Sequence, residues 1–150
     1  MRVNIYQTRY DTDRTISLVR EKSQNYPEIN VIDSPESCVK IMETLFDVSN
    51  LTEERVWLIA LNGARKISGL FEISRGTLTS SLIHPREIFL RAILAGAASI
   101  IIIHNHPSGL LLASTQDIEV TKRIHSVGDL IGIPLDDHII VANGGYVSVM

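Results

Sequence analysis

The chain has 150 residues, of which 45% are hydrophobic and 21% are charged, and its formal net charge is −3. The length predicts a single domain, and the 21 isoleucines predict a branched-aliphatic core rich in strands rather than a disordered chain. The acidic balance disfavours a general nucleic-acid binder, and the lone Cys38 excludes an internal disulfide and any zinc site built on two thiolates.

The predicted elements alternate between strands and helices along the chain. Residues 1–33 are expected to form a short N-terminal β-hairpin arm, because two weakly alternating segments flank a polar turn. Ser34-Pro35 is typical of a helix start, and the apolar stripe behind it predicts a helix that ends near Asn50. The later elements are a buried strand at residues 56–61, a return strand at 66–75, a helix from 84 to about 96, a buried strand at 99–103, a helix at 114–128, and final strands at 137–142 and 146–149. This order predicts an α/β fold with helices packed on a mixed sheet.

The sequence also predicts where the protein resides. The first residues are not followed by an apolar segment, so no secretory leader is expected. The longest unbroken apolar run, residues 56–61, is far shorter than the roughly 20 residues of a membrane-spanning helix. With its single thiol, the chain is expected to be cytoplasmic and to have no membrane partner.

Two histidines follow the predicted strand at residues 99–103. His104 and His106 are two positions apart, so on a strand their side chains point to the same face, and Pro107 favours an end of the strand there. Two imidazoles at a strand end can bind one ion. Taken alone the pair is a weak signal, because two ordinary polar residues at a strand end are the commoner case.

Asp117 strengthens the interpretation of a metal site. It is the third residue of the helix that Ser114 is expected to cap, and side chains on a helix lean toward its N-terminus, so the carboxylate points back at the histidines. An acid at this position is also favoured by the helix dipole, and both interpretations can hold together. Two imidazoles and one carboxylate, with one position open to water, are a common catalytic zinc set.

Several separated blocks of the sequence resemble the bacterial RadC family, which carries an MPN (JAB, cytidine-deaminase-like) domain with the JAMM zinc motif His-x-His-x10-Asp. The blocks are Ile102-Ile103-His104-Asn105-His106-Pro107-Ser108-Gly109, Ser114-x-x-Asp117-Ile118-Glu119-Val120-Thr121, Arg75-Gly76-Thr77-Leu78-x-Ser80-Ser81, His84-Pro85-Arg86-Glu87 and Asp137-His138. The resemblance covers residues 34–150 and implies one α/β MPN domain there, with residues 1–33 as an arm of unknown role.

The resemblance implies zinc-dependent hydrolysis of a peptide or isopeptide bond in a peptide or protein substrate. The zinc ligands that it implies are His104, His106 and Asp117, and the hydroxyl that stabilises the oxyanion is Ser114. It also implies an upstream glutamate as general base toward a zinc-activated water. Glu54 is the first choice because it stands just before the strand at residues 56–61, Glu53 is its rival, and Glu72 is a distant third.

Residues 110–113 depart from the family pattern. Leu-Leu-Leu-Ala stands where the family has a polar, proline-containing stretch, and we expect this loop to pack inward, although it could instead cover the site or bind a partner. Two other functions therefore stay open. One is a non-catalytic MPN module that binds a protein partner through Leu110, Leu111 and Leu112. The other is a DNA-repair accessory, which the acidic balance and the lack of room for a helix-hairpin-helix region both disfavour.

The remaining histidines and acids are given structural interpretations. His84 is expected at a helix start, and His125 is expected on the surface. His138 is expected to be a satisfied sheet residue that could also lie near the site. Asp136 and Asp137 are expected in a solvated turn rather than in a second carboxylate cluster.

Overall fold

A computed structural model describes residues 1–76 and 83–150 of the chain. These residues form seven strands and three α-helices, which are β1 (Arg2–Tyr10), β2 (Ile16–Asn25), α1 (Pro35–Phe46), β3 (Arg55–Leu61), β4 (Ile67–Arg75), α2 (Pro85–Leu94), β5 (Ser99–Asn105), α3 (Thr115–Ile131), β6 (Leu135–Ala142) and β7 (Gly145–Ser148). The predicted α/β fold is confirmed. Most of the family-like block at residues 75–81 lies outside the described residues.

One mixed sheet organises the molecule, with the strand order β2-β1-β4-β3-β5-β6-β7. β3 pairs antiparallel with both β4 and β5, and β5 runs parallel to β6. Because alternate residues of a strand point to opposite faces, Trp57 and Ile59 enter a core shared with α1, whereas Leu58 and Ala60 enter a core shared with α2 and α3. All four side chains are fully buried, so the prediction of a strand buried on both faces is confirmed.

The N-terminal hairpin is longer than expected and is part of the main sheet. β1 pairs antiparallel with β2 along its whole length, and it also pairs in parallel with β4 at Ile5 and Leu70. Val3 and Ile5 are buried in the core that α1 covers. The hairpin therefore extends the sheet instead of standing apart as an arm, and a domain boundary at residue 33 stays a prediction.

Two helix ends differ from the expected ones. α1 ends at Phe46 because Asp47 adopts a left-handed conformation with φ of 50°, and a separate 3-10 turn follows at Val48–Asn50. α3 runs past Gly128, the predicted end, and stops at Gly132, whose φ of 78° suits glycine. Gly128 is buried within the helix, where an added Cβ would lie 2.6 Å from the carbonyl oxygen of Ile133. Close packing therefore explains the glycine at position 128.

Helices that could cross a membrane are absent from the described part of the chain, since none is both long and apolar enough.

Candidate metal centre

The two histidines meet at the end of the central sheet. His104 lies near the end of β5, opposite Val56 of β3, and its side chain is fully buried on the face that α3 covers. His106 follows directly after the strand and is held there by a hydrogen bond from its N–H to the carbonyl of Val141. The Nε2 atoms of His104 and His106 lie 2.9 Å apart. Both rings therefore present the same nitrogen to one point.

Asp117 completes the cluster from the first turn of α3. Its Oδ1 lies 3.3 Å from Nε2 of His104, and its Oδ2 lies 3.5 Å from Nε2 of His106. A capping box fixes the carboxylate, because the N–H and the hydroxyl of Ser114 both donate to Oδ2 over 2.7 Å. The carboxylate thus points back at the histidines, as the sequence predicted.

The surroundings of Asp117 keep its carboxyl ionised. Burial alone would raise its pKa, but the contacts with His104 and the hydrogen bonds from Ser114 outweigh burial and hold the pKa well below its ordinary value. A buried carboxylate of this kind is available to a cation at any physiological pH.

The donor set fits a tetrahedral zinc ion. Zinc binds imidazole nitrogen and carboxylate oxygen at about 2.0–2.2 Å, so two tetrahedral donors are separated by roughly 3.3 Å. The three separations here are 2.9, 3.3 and 3.5 Å. In addition, Nδ1 of His106 lies 2.9 Å from the carbonyl oxygen of Leu110, which can only accept, so its ring proton is on Nδ1 and its Nε2 is free to bind a metal.

Of the three candidate glutamates, Glu54 lies beside this cluster. Its half-buried carboxylate approaches Nε2 of His106 to 3.9 Å, and one oxygen lies within 4.8 Å of ligand nitrogens on both histidines. Glu53 is exposed, and the carboxylate of Glu72 pairs with Arg75 instead. The geometry therefore favours Glu54 over its two rivals as the acid next to the site.

Comparison with known families identifies the fold. The model of a family described as RadC-like JAB domain matches residues 32–150. This chain belongs to that family. The UPF0758 protein of Finegoldia magna is 42% identical over 118 residues, which are 79% of this chain and 52% of that protein. The UPF0758 protein of Clostridium tetani is 41% identical over 129 residues, 86% and 54% of the two chains. The chain thus spans about half the length of the relatives that it matches.

In this RadC-like JAB domain, Asn105 has a role that the sequence did not reveal. The side chain lies between the two histidines in sequence and is buried. Its Oδ1 accepts from the N–H of Arg55 over 2.8 Å, and its Nδ2 donates to the carbonyl of Glu53 over 3.0 Å. The two hydrogen bonds fix the backbone of Glu53 and Arg55, the residues on either side of Glu54. The partners of Asn105 are about 50 positions away in the sequence, so no local pattern could have indicated this role.

His138 lies next to the site, a position that the sequence left open without giving the residue a role. It is a satisfied sheet residue, as predicted, but its Nε2 also lies 2.8 Å from Nδ1 of His104 and its Nδ1 lies 2.6 Å from Oγ1 of Thr121. Complete burial, aided by the nearby His104, lowers the pKa of His138 to about 3, so its ring is neutral at physiological pH.

A cleft of about 460 Å³ opens onto the cluster of the RadC-like JAB domain. Its lining includes the acids Glu54 and Asp117 and the apolar residues Leu110 and Leu112. The two leucines are 64% and 74% exposed, so the prediction that this loop packs inward is wrong for them. The Leu110 carbonyl accepts a hydrogen bond from Nδ1 of His106, and the side chains of Leu110 and Leu112 line the cleft.

The other polar residues singled out in the sequence lie outside the cluster. His84 caps α2 by accepting from the N–H of Arg86, and His125 is a half-exposed partner of Asp129, both as expected. The expectation of a solvated turn at residues 136 and 137 is wrong. Both acids are in β6, where Asp136 binds Arg65 and Ser99, and Asp137 accepts from Ser148.

Proposed function

We propose that this domain is a zinc-dependent hydrolase of peptide or isopeptide bonds that uses a metal-activated water. The observation that carries the proposal is the convergence of His104, His106 and Asp117 at one end of a cleft, beside the carboxylate of Glu54. These three residues would hold the ion. When bound, zinc lowers the pKa of a coordinated water to about 7 and polarises a carbonyl group.

Glu54 is proposed as the general base. A base must reach the proton that it removes, and the Glu54 carboxylate lies in the cleft wall next to the nitrogens of both histidines. Its backbone is gripped on both sides by Asn105, which limits the movement of the carboxylate. Glu54 would accept the proton of the attacking water and pass it to the leaving amine.

Ser114 is proposed as the donor to the developing oxyanion. Its hydroxyl lies in the cleft wall and here donates to Asp117, so it must rotate to reach a substrate oxygen. The carboxylate keeps a second bond while this happens, because the N–H of Ser114 also donates to Oδ2. Loss of the hydroxyl bond during the reaction therefore leaves Asp117 oriented.

The cleft also suggests the kind of peptide that binds. Leu110 and Leu112 form an exposed apolar wall beside the cluster, and burying such a side chain against a ligand stabilises the complex by roughly 25 cal/mol per Å². We propose that the substrate presents an apolar side chain next to the bond that is cleaved.

A hydrolysis assay over peptide and isopeptide substrates tests the proposal. We expect the zinc-loaded protein to cleave at least one class, and Glu54→Gln to retain zinc but lose at least about 10²-fold in rate. Glu119→Gln, an exposed acid on α3, is the matched control and should keep full activity. Full activity of Glu54→Gln, or no cleavage of any substrate by the zinc-loaded protein, contradicts the proposal.

A second candidate function is a non-catalytic module that binds a protein partner through Leu110, Leu111 and Leu112. The observation in its favour is that all three leucines are exposed. A purified partner whose binding requires Leu112 but tolerates Asp117→Asn would favour this function. Binding that is lost equally in both variants would instead favour a substrate complex at the metal centre.

The family name also suggests a role in DNA repair, and we rank it last because the net charge is −3. A DNA titration at rising salt tests it, since binding through phosphates weakens as salt rises.

We also propose a cytoplasmic location, which the free, buried thiol of Cys38 supports.

A further inference from the structure

A buried chain of three side chains runs behind the proposed zinc ligands. It starts at Thr121 on α3, passes through His138 on β6 and ends at His104 on β5. Oγ1 of Thr121 lies 2.6 Å from Nδ1 of His138, and Nε2 of His138 lies 2.8 Å from Nδ1 of His104. Thr121 is 6% exposed and both histidines are 0% exposed, so solvent has little access to these bonds.

The positions of the protons follow from the group at the start of the chain. The hydroxyl of Thr121 has one proton and donates it to the backbone carbonyl of Asp117, 2.6 Å away, because a carbonyl oxygen can only accept. Its oxygen therefore accepts from Nδ1–H of His138. A neutral imidazole has one N–H, so Nε2 of His138 accepts in turn, and the proton of His104 is on Nδ1.

We propose that Thr121 and His138 are positioning residues that hold His104 in the tautomer whose Nε2 is free to bind zinc. The inference rests on the metal centre of the proposed function, because Nε2 is the atom that faces the other ligands. His106 reaches the same state separately, by donating from Nδ1 to the carbonyl of Leu110. The two rings thus present lone pairs 2.9 Å apart, with a carboxylate oxygen of Asp117 3.3 Å from Nε2 of His104, and a bound cation relieves the repulsion among the three groups.

The tautomer can be read directly in the metal-free protein by long-range ¹H–¹⁵N NMR of the imidazole rings. At about pH 8, above the ordinary imidazole pKa, we expect the proton of His104 on Nδ1 and that of His138 on Nδ1. A proton on Nε2 of His104 would overturn the proposal, because the chain of bonds would then run in the opposite direction. This measurement uses the unaltered protein, so it does not depend on the folding of a variant.

Two substitutions at Thr121 test the effect on metal binding. Thr121→Val removes the hydroxyl at nearly constant shape, and we expect it to weaken zinc affinity about 10–100-fold in a chelator competition and to disturb the tautomer of His104. Thr121→Ser keeps the hydroxyl and should retain the original affinity. An unchanged affinity in Thr121→Val would overturn the proposal.

A control on the same helix separates positioning from general destabilisation. Ile124→Val removes a buried methylene in the core and should lower the midpoint of urea unfolding without touching the chain of bonds. We expect its zinc affinity to be unchanged, and an affinity loss as large as that of Thr121→Val would count against a specific role. A protein with the expected tautomer and hydroxyl-dependent zinc affinity, but without hydrolysis, would support the positioning residues and contradict the proposed hydrolase.

Discussion

At the scale of single residues, backbone groups decide what the side chains of the site can do. The carbonyl of Leu110 holds the proton of His106 on Nδ1, and the carbonyl of Asp117 orients the hydroxyl of Thr121. The N–H of Ser114 holds the Asp117 carboxylate. Ser114 and Asp117 lie at the start of α3 and Leu110 in the loop before it, and these bonds fix the donor atoms in place, which reduces the entropy that ion binding must overcome.

Asn105→Ala is predicted to reduce activity without removing the metal. The substitution deletes the two bonds that grip the backbone around Glu54 and leaves the N–H of Arg55 and the carbonyl of Glu53 without their present partner. We expect stability to fall by about 1–3 kcal/mol and the rate to fall at least about tenfold, since Glu54 is no longer held in place. Enzyme assays and zinc content measured on the same preparation check this.

Asn50→Ala, at an exposed asparagine in the 3-10 turn, is the control for Asn105→Ala. It should change neither the stability nor the rate. If Asn105→Ala keeps the full rate, Asn105 does not position Glu54. If Asn105→Ala loses zinc, Asn105 also affects the proposed metal ligands and not Glu54 alone.

At the scale of the elements, the alternation of apolar residues and the capping residues are sufficient to predict much of the fold. The apolar run at residues 56–61 predicts the buried strand β3, and Ser34-Pro35 predicts the start of α1. The spacing of His104, His106 and Asp117 predicts their convergence, since the two histidines share one face at a strand end and the side chain of Asp117 leans toward the N-terminus of its helix. In each of these cases the residues that determine the structure are close together in the sequence, so the local pattern predicts the geometry.

Features that depend on distant contacts were missed or misread. The bonds of Asn105 span about 50 positions in sequence, and no local pattern encodes them. The pairing of β1 with β4 is equally non-local. Leu110 and Leu112 were expected to pack inward because they are apolar, yet the cleft leaves them exposed. Gly128 matches the pattern of a helix end, but the nearby carbonyl of Ile133 is what requires a residue without a side chain there.

Gly128→Ala is therefore predicted to destabilise the protein, against the usual gain of helix propensity. An alanine Cβ would lie 2.6 Å from the Ile133 carbonyl oxygen, and relieving this contact requires a backbone shift that costs about 1–3 kcal/mol, more than the roughly 1 kcal/mol that propensity returns. Urea unfolding measures the change. Gly63→Ala, where no atom lies within 4 Å of the new Cβ, should stay within about 0.5 kcal/mol. A more stable Gly128→Ala protein would show that the contact is easily relieved.

At the scale of the whole molecule, the free energy of unfolding is expected to fall as the pH falls, because of buried groups at the site. The folded state lowers the pKa of His138 from 6.5 to about 3, so the unfolded chain binds a proton that the folded protein excludes over that range. The stability due to the neutral ring is complete above about pH 6.5 and is lost as the pH falls toward 3. The lowered pKa of Asp117 acts in the same sense, since its contribution is present above its ordinary value of 3.8 and is lost as the pH falls further.

We therefore predict that the free energy of unfolding of metal-free protein, kept so by a chelator, is lower at pH 5 than at pH 7. One excluded proton contributes at most about 1.4 kcal/mol per pH unit below 6.5, or roughly 2 kcal/mol at pH 5. Urea unfolding at the two pH values measures the difference. His138→Gln should flatten this dependence, whereas His125→Gln, on the surface, should not. An equal pH dependence in His138→Gln and the unaltered protein would show that His138 does not exclude a proton.

Elemental analysis of purified, zinc-replete protein tests whether His104, His106 and Asp117 form a zinc centre. We predict about one zinc per chain in the unaltered protein and in Asp129→Asn, an exposed acid on the same helix as Asp117. Asp117→Asn should lose the metal, because the buried amide cannot supply the negative charge that the ion requires. Zinc retained at full stoichiometry in Asp117→Asn, or absent from the unaltered protein, would contradict the account.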